Sequence, residues 1–218
     1  MVRVYFYKMN KENLASNWDS YLALLPEWRK ESCLRMRFER GKLQQLAAGL
    51  LLRYALRQEG IDLMTVRIET NEHGKPIMDG LFFNISHSGD CIAVATGGCP
   101  VGIDVETKSD SDLKITGRFY SEAEQRSVRT AVDPQKEFRR LWTRKEAYVK
   151  CTGTGIYDSV EKIPSLEDVS GEYRLFTLRE AEDYTLSLVV RPEGASEESG
   201  RVELVEVPSS ELEIRSSL

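Results

Sequence analysis

Phe82-Phe83-Asn84-Ile85-Ser86-His87-Ser88-Gly89-Asp90-Cys91-Ile92-Ala93-Val94-Ala95-Thr96-Gly97-Gly98-Cys99-Pro100-Val101-Gly102-Ile103-Asp104-Val105-Glu106 is the stretch whose reading decides the fold. It predicts three strands in quick succession: Phe82 to Ser86, Cys91 to Thr96 and Val101 to Glu106. Ser88-Gly89-Asp90 and Gly97-Gly98-Cys99-Pro100 part them. Connections this short predict a meander or hairpin array. Outward from this centre, Val2 to Tyr7 alternates as a strand does, and Tyr173 to Leu178, Tyr184 to Val190 and Val202 to Val207 read as late strands. Leu14 to Leu25 reads as a helix ending before Pro26. Leu43 to Gln58 is an amphipathic helix stopped by Gly60. Val66 to Glu69 reads as a short strand, and residues 71–76 as a turn by their Asn, Gly and Pro content. Ser121 opens a helix with Glu124 at the capping-box position. Asp133-Pro134 opens another, which runs to about Cys151 and ends at Gly153. Helices and antiparallel strands interleave without regular βαβ crossovers, so the expected fold class is α+β.

At 218 residues the chain can build one domain or two small lobes. Its net charge of -5 argues against a nucleic-acid binder, which carries a basic excess or stripe. Cys33, Cys91, Cys99 and Cys151 form no C-x-x-C pair, which disfavours zinc and points to reduced, buried thiols. Met1 to Tyr7 lacks the features of a signal peptide, and no apolar run reaches membrane-spanning length. The expectation is a soluble cytoplasmic protein, without a nucleic-acid or membrane partner.

The chemistry concentrates in a few places. Asp104 and Glu106 lie two apart on a strand and so share a face. Two carboxylates on one face repel unless a cation or solvent relieves them, and hard oxygen donors favour Mg²⁺. In Trp142-Thr143-Arg144-Lys145-Glu146-Ala147-Tyr148-Val149-Lys150, Glu146 and Lys150 share a helix face, with Trp142 one turn earlier. Asn84, Ser86 and His87 run into a glycine turn and carry groups that can contact phosphate. Gly74 and Lys75 sit in a turn. The basic run from Arg29 to Lys42, which includes Arg35 and Arg37, can form one wall of a polyanion pocket. Each feature alone also has an ordinary structural reading: solvated acids, an i,i+4 ion pair, a core tryptophan, a turn, a charged helix face.

Taken together these segments resemble the 4'-phosphopantetheinyl transferases of the long, surfactin-synthetase-activating type. The carrying motifs are Gly74-Lys75-Pro76, Asn84-Ile85-Ser86-His87-Ser88-Gly89, Gly102-Ile103-Asp104-Val105-Glu106, the Phe119-to-Glu124 helix entry and Trp142 to Lys150, in the family's order. The resemblance implies two similar α/β lobes related by pseudo-two-fold symmetry, 1–100 and 101–218, with the site between them and the break near Pro100. It implies transfer of the 4'-phosphopantetheine arm of coenzyme A to a serine hydroxyl of an apo acyl or peptidyl carrier protein, with release of adenosine 3',5'-bisphosphate. By carry-over, Asp104, Glu106 and Glu146 bind Mg²⁺, with Asp104 also at the coenzyme A site. Lys150 contacts the diphosphate. Asn84, Ser86 and His87 form the phosphate end of the coenzyme A site, and Gly74 and Lys75 lie along the adenosine. Glu146 is the candidate base, directly or through a metal-bound water. Relatives carry an acidic-basic pair near Gly41 to Gln45, where this chain has Lys42, Gln44 and Gln45; Lys42, Arg37 or Arg35 is the expected substitute. Two fused lobes allow a monomer, and the segment after Lys150, Cys151 to Pro164, would help to receive the carrier. Two other readings use the same residues: a Mg²⁺-dependent nucleotide-diphosphate hydrolase, and a non-catalytic protein that binds coenzyme A or carriers.

Overall fold

In the computed structural model of the protein the described residues are 1–71, 74–108, 116–153, 163–192 and 201–212. Two expectations therefore fall partly outside them: the centre of the 71–76 turn and most of the Cys151-to-Pro164 segment. The chain begins with β1 (Val2–Lys8) and two short helices, α1 (Lys11–Ser16) and α2 (Trp18–Leu22). Next come α3 (Glu27–Leu34), the long α4 (Glu39–Gln58), the small β2 (Glu69–Thr70) and β3 (Pro76–Ile77), and the hairpin β4 (Phe82–Ser88) and β5 (Cys91–Gly97). The second half holds β6 (Val101–Thr107), α5 (Thr116–Phe119), α6 (Glu122–Thr130), the long α7 (Pro134–Thr152), β7 (Val169–Ser170), β8 (Tyr173–Glu180), β9 (Tyr184–Val190), β10 (Val202–Glu206) and α8 (Ser209–Leu212).

The α+β class holds, and the strands form two four-stranded sheets, β10-β1-β5-β4 and β6-β9-β8-β7, beside the β2-β3 pair. The expected meander is only half present. β4 and β5 pair as a hairpin, but β6 leaves for the second sheet, where it pairs with β9. Burial on both faces of β5 explains how the layers stack. Ile92 and Val94 face α4 in one core, whereas Cys91, Ala93 and Ala95 join Val101, Ile103, Val105, Leu186 and Leu188 in another. The order is thus α4, first sheet, second sheet, α7. The last strand, β10, pairs parallel to β1, so the C-terminal portion completes the N-terminal sheet instead of keeping within residues 101 onwards.

Local chemistry sets the remaining differences. The expected helix from Leu14 to Leu25 is broken at Asn17, whose backbone N–H closes α1 and which then stands at the N-cap of α2; asparagine competes with helix through its own hydrogen bonds. The expected strand from Val66 shrinks to Glu69–Thr70, because the N–H groups of Thr65 and Val66 donate to the Asp62 carbonyl in a turn. Helix α4 starts four residues before the apolar pattern does, at Glu39. Asp133 and Ser121 cap their helices as expected, and Gly153 ends α7 with φ 73. All four cysteines are buried. Among the described residues no helix is long and apolar enough to cross a membrane.

Candidate active site

The site lies at the seam where β4 meets the free edge of β6. One edge of β6 pairs with β9; its other N–H groups find side chains instead. Ile103 N–H donates to Asn84 Oδ1 at 2.9 Å, Val105 N–H to Ser86 Oγ at 3.3 Å and Thr107 N–H to Ser88 Oγ at 3.1 Å. The period-two polar face of β4 thus replaces a backbone ladder and leaves few buried donors unmet. The Ser86 hydroxyl donates to Asp104 Oδ1 at 2.9 Å, and that of Ser88 to Glu106 Oε2 at 2.8 Å. Asn84 and Ser86, which the resemblance places at the coenzyme A phosphates, therefore stitch the two sheets and orient the acids.

Gly102, Asp104 and Glu106 share the face of β6 that α7 covers. A Cβ on Gly102 would stand 2.0 Å from the Ala147 carbonyl oxygen and 2.3 Å from the Cys151 nitrogen, so only glycine lets the helix come this close. The close approach brings Lys150 Nζ to 2.6 Å from Asp104 Oδ1 and 3.1 Å from Ser86 Oγ. Asp104 is only 3 % exposed, and its other oxygen, Oδ2, is buried with no hydrogen-bond partner among the described residues. Burial raises its pKa despite the ammonium alongside it. Burial, reinforced by the charge of Asp104, pushes both Glu106 and Glu146 up to about 7.

The three acids sense one another electrostatically, yet among the described residues no three His, Cys, Asp or Glu side chains are gathered closely enough to hold an ion as they stand. The expected trio of Asp104, Glu106 and Glu146 is therefore not assembled as a ligand set. Lys150 holds one Asp104 oxygen and Ser88 holds Glu106. The donor set still suits a hard divalent cation: oxygens only, mutually repelling, with Asp104 Oδ2 lacking a partner among the described residues.

His87 lies on the opposite face of β4, toward α4, and contacts Gln45 Nε2 through Nε2 at 3.0 Å. Burial, followed by the charges of Lys150 and Arg29, holds its pKa below the ordinary value, so the imidazole is neutral rather than cationic. Gln44 and Gln45, where the resemblance led to an acidic-basic pair being expected, have definite partners. Gln44 Nε2 donates to the Gly89 carbonyl at 2.9 Å and anchors the turn. Gln45 accepts from the buried Arg29. Arg35 and Arg37 are not gathered here: Arg35 lies 3.5 Å from Glu31, and Arg37 lies over the Phe38 ring. Arg40 stands by the 88–90 turn, 4.0 Å from Asp90.

Gly74 has a positive φ of 79. Lys75 is drawn in: its ammonium donates to the carbonyls of Lys150 at 2.5 Å, Val101 at 3.2 Å and Cys151 at 3.3 Å, at the C-terminal end of α7. Burial lowers its pKa. It lines a cavity of about 230 Å³ together with Pro76, Met78, Phe83, Gly153 and Tyr173.

The Trp142 segment divides its labour residue by residue. Trp142 stacks on Phe138 and meets Phe119 edge-on. Thr143 bonds Ser187 at 2.8 Å, and Arg144 ties down the carbonyls of Glu167 and Leu175. Lys145 pairs with the buried Glu124 at 2.9 Å, while Glu146 and Lys150 turn to the acids of β6.

A family model described as the 4'-phosphopantetheinyl transferase superfamily matches residues 100–199, and one described as 4'-phosphopantetheinyl transferase, N-terminal, matches residues 12–98. The chain is 29 % identical over 162 residues to 4'-phosphopantetheinyl transferase Sfp of Bacillus subtilis (strain 168), covering 71 % of this chain and 72 % of that protein. It is 36 % identical over 111 residues to 4'-phosphopantetheinyl transferase gsp of Aneurinibacillus migulanus, covering 50 % of this chain and 47 % of that one. It is 34 % identical over 128 residues to 4'-phosphopantetheinyl transferase psf-1 of Bacillus pumilus, covering 56 % and 55 %. The two family models abut at the turn between β5 and β6, and by these sequence matches the chain belongs to the 4'-phosphopantetheinyl transferase superfamily.

Proposed function

We propose that this protein transfers the 4'-phosphopantetheine arm of coenzyme A to a serine hydroxyl of an apo carrier protein and releases adenosine 3',5'-bisphosphate. The observation that carries the reading is the Lys150 ammonium 2.6 Å from a buried aspartate, flanked by two glutamates whose pKa values stand at about 7. In this reading the serine oxygen attacks the phosphorus that bears the pantetheine arm. The bond from that phosphorus to the bridging oxygen breaks, and the bridging oxygen leaves with the nucleotide. Glu146 accepts the serine proton, a role that a carboxylate half-ionised near neutrality suits. Lys150 faces the charge that grows on the leaving oxygen. Asp104, Glu106 and Glu146 would hold Mg²⁺. When bound, the ion neutralises the diphosphate and so lowers the charge the protein must offset. Tight cation binding and proton acceptance compete for the same Glu146 carboxylate.

The strand–long helix–hairpin order occurs twice, β1-α4-β4-β5 and β6-α7-β8-β9, with matching strand orders β1-β5-β4 and β6-β9-β8. This supports reading the two halves as lobes related by pseudo-two-fold symmetry with the site between them. Lys75, beside its cavity, would border the adenosine.

Intact-mass analysis of apo carriers after incubation with coenzyme A and Mg²⁺ tests the reaction. The expected result is a gain of one phosphopantetheine arm, abolished by EDTA and restored by excess Mg²⁺. Release of the bisphosphate without a gain in carrier mass would replace transfer by hydrolysis. Turnover indifferent to EDTA would remove the metal.

A further inference from the structure

Resting on the transferase reading, we infer that Gln45 is a positioning residue that fixes His87 in the Nδ1–H tautomer, with Arg29 setting the direction of the Gln45 amide. Arg29 is always protonated and only donates. It is buried, and its Nη2 lies 2.7 Å from the Gln45 backbone oxygen and 3.3 Å from Gln45 Oε1. Turning the Gln45 amide over would set its NH₂ group against the guanidinium, donor against donor. The amide oxygen therefore faces Arg29, and the amide nitrogen faces His87 Nε2 at 3.0 Å. An NH₂ group has only hydrogens to offer, so Nε2 must be the bare acceptor and the ring proton must sit on Nδ1.

Two further observations agree. A backbone acceptor on His87 itself counteracts part of the fall in its pKa, a contact that the Nδ1–H donor is placed to make. The charged groups that bear on the ring, Arg29 from α3 and Lys150 from α7, are both cationic and oppose a second proton. The positive charge that can meet a diphosphate beside His87 therefore belongs to Lys150, because Arg29 is buried against Gln45. His87 contributes an orientation, which Gln45 sets.

The test is ¹⁵N NMR of the imidazole nitrogens of the free protein at neutral pH. The chain has only two histidines, so a His73→Gln variant assigns the signals. The expected wild-type result is a neutral His87 with a protonated Nδ1 and a bare Nε2. In Gln45→Leu the proton redistributes toward Nε2, and KM for coenzyme A rises about tenfold with kcat within about twofold, the loss of one orienting hydrogen bond. In the isosteric Gln45→Glu the carboxylate accepts from Nε2, and both nitrogens become protonated. A wild-type spectrum with the proton on Nε2, or an unchanged spectrum in both variants, overturns the inference. The NMR reading needs no turnover, so it judges Gln45 even where transfer is absent; absence of transfer in the wild type counts against the transferase reading alone.

Discussion

Asp104 has one carboxylate oxygen in a salt bridge and the other buried without a partner among the described residues. Removing either side of such a pair strands the other, which explains why these residues are predicted to act as a unit. Asp104→Ala, Glu146→Ala and Lys150→Ala are each expected to lower transfer at least about a hundredfold, the usual scale for one electrostatic contact at a reacting centre. Single-turnover transfer to an apo carrier checks this, and near-normal turnover in Asp104→Ala would refute the arrangement. Glu106 carries a separate, thermodynamic signature. Its pKa is raised from 4.5 to about 7, so the folded protein keeps a proton that the unfolded chain gives up. That contribution to stability falls as pH climbs through this window and stays low above it. Glu106→Gln should therefore melt progressively higher relative to wild type from pH 4.5 to about 7, without divalent cation. A pH-independent offset in Tm would show that the carboxyl titrates normally.

At the scale of elements, the packing of α7 on β6 makes the site. Gly102→Ala puts a methyl group 2.0 Å from a backbone oxygen of α7, which no rotamer change relieves. The variant is expected to lose about 1–3 kcal/mol or more in urea unfolding and to lose transfer as Lys150 moves from Asp104. Wild-type stability with wild-type transfer would mean that the helix yields without cost. The sequence made much of this legible: Gly102-Ile103-Asp104-Val105-Glu106 reads as a strand with both acids on one face, and Glu146 and Lys150 share a helix face by spacing alone. It did not show the work of Asn84, Ser86 and Ser88. Polar alternation along β4 reads equally as a solvated face or as phosphate contacts. Only the neighbouring strand decides, because the N–H groups these side chains receive are on β6, two turns further along the chain and in another sheet.

At the scale of the molecule, the two halves are joined by more than the chain. β10 returns to pair with β1, and Lys75 crosses from the first half to three carbonyls of α7 and β6. Lys75→Met leaves those carbonyls without the ammonium and is expected to destabilise the protein by about 1–3 kcal/mol, read from the urea midpoint. A change confined to KM for coenzyme A, with stability unaltered, would assign Lys75 to the ligand instead of the joint. Arg35 and Arg37 belong to this scale too. Their place in a basic run suggested a pocket wall, but the turn between α3 and α4 leaves both exposed, and the arginine near the site is Arg29, hidden in the core.

The residues themselves determined the strand and helix types, the caps at Ser121 and Asp133, the class of fold, the pairing of Asp104 with Glu106 on one strand face and that of Glu146 with Lys150 on one helix face. All of these follow from short-range rules: period two, period 3.6, and the hydrogen bonds of a helix end. Tertiary structure alone decided that β6 leaves the hairpin, that Ser86 serves a strand edge before any ligand, that Lys75 closes a helix end, and that His87 meets Gln45. The physical reason is shared by all four: each depends on a buried donor or acceptor whose partner is fixed by packing between layers, not by distance along the chain.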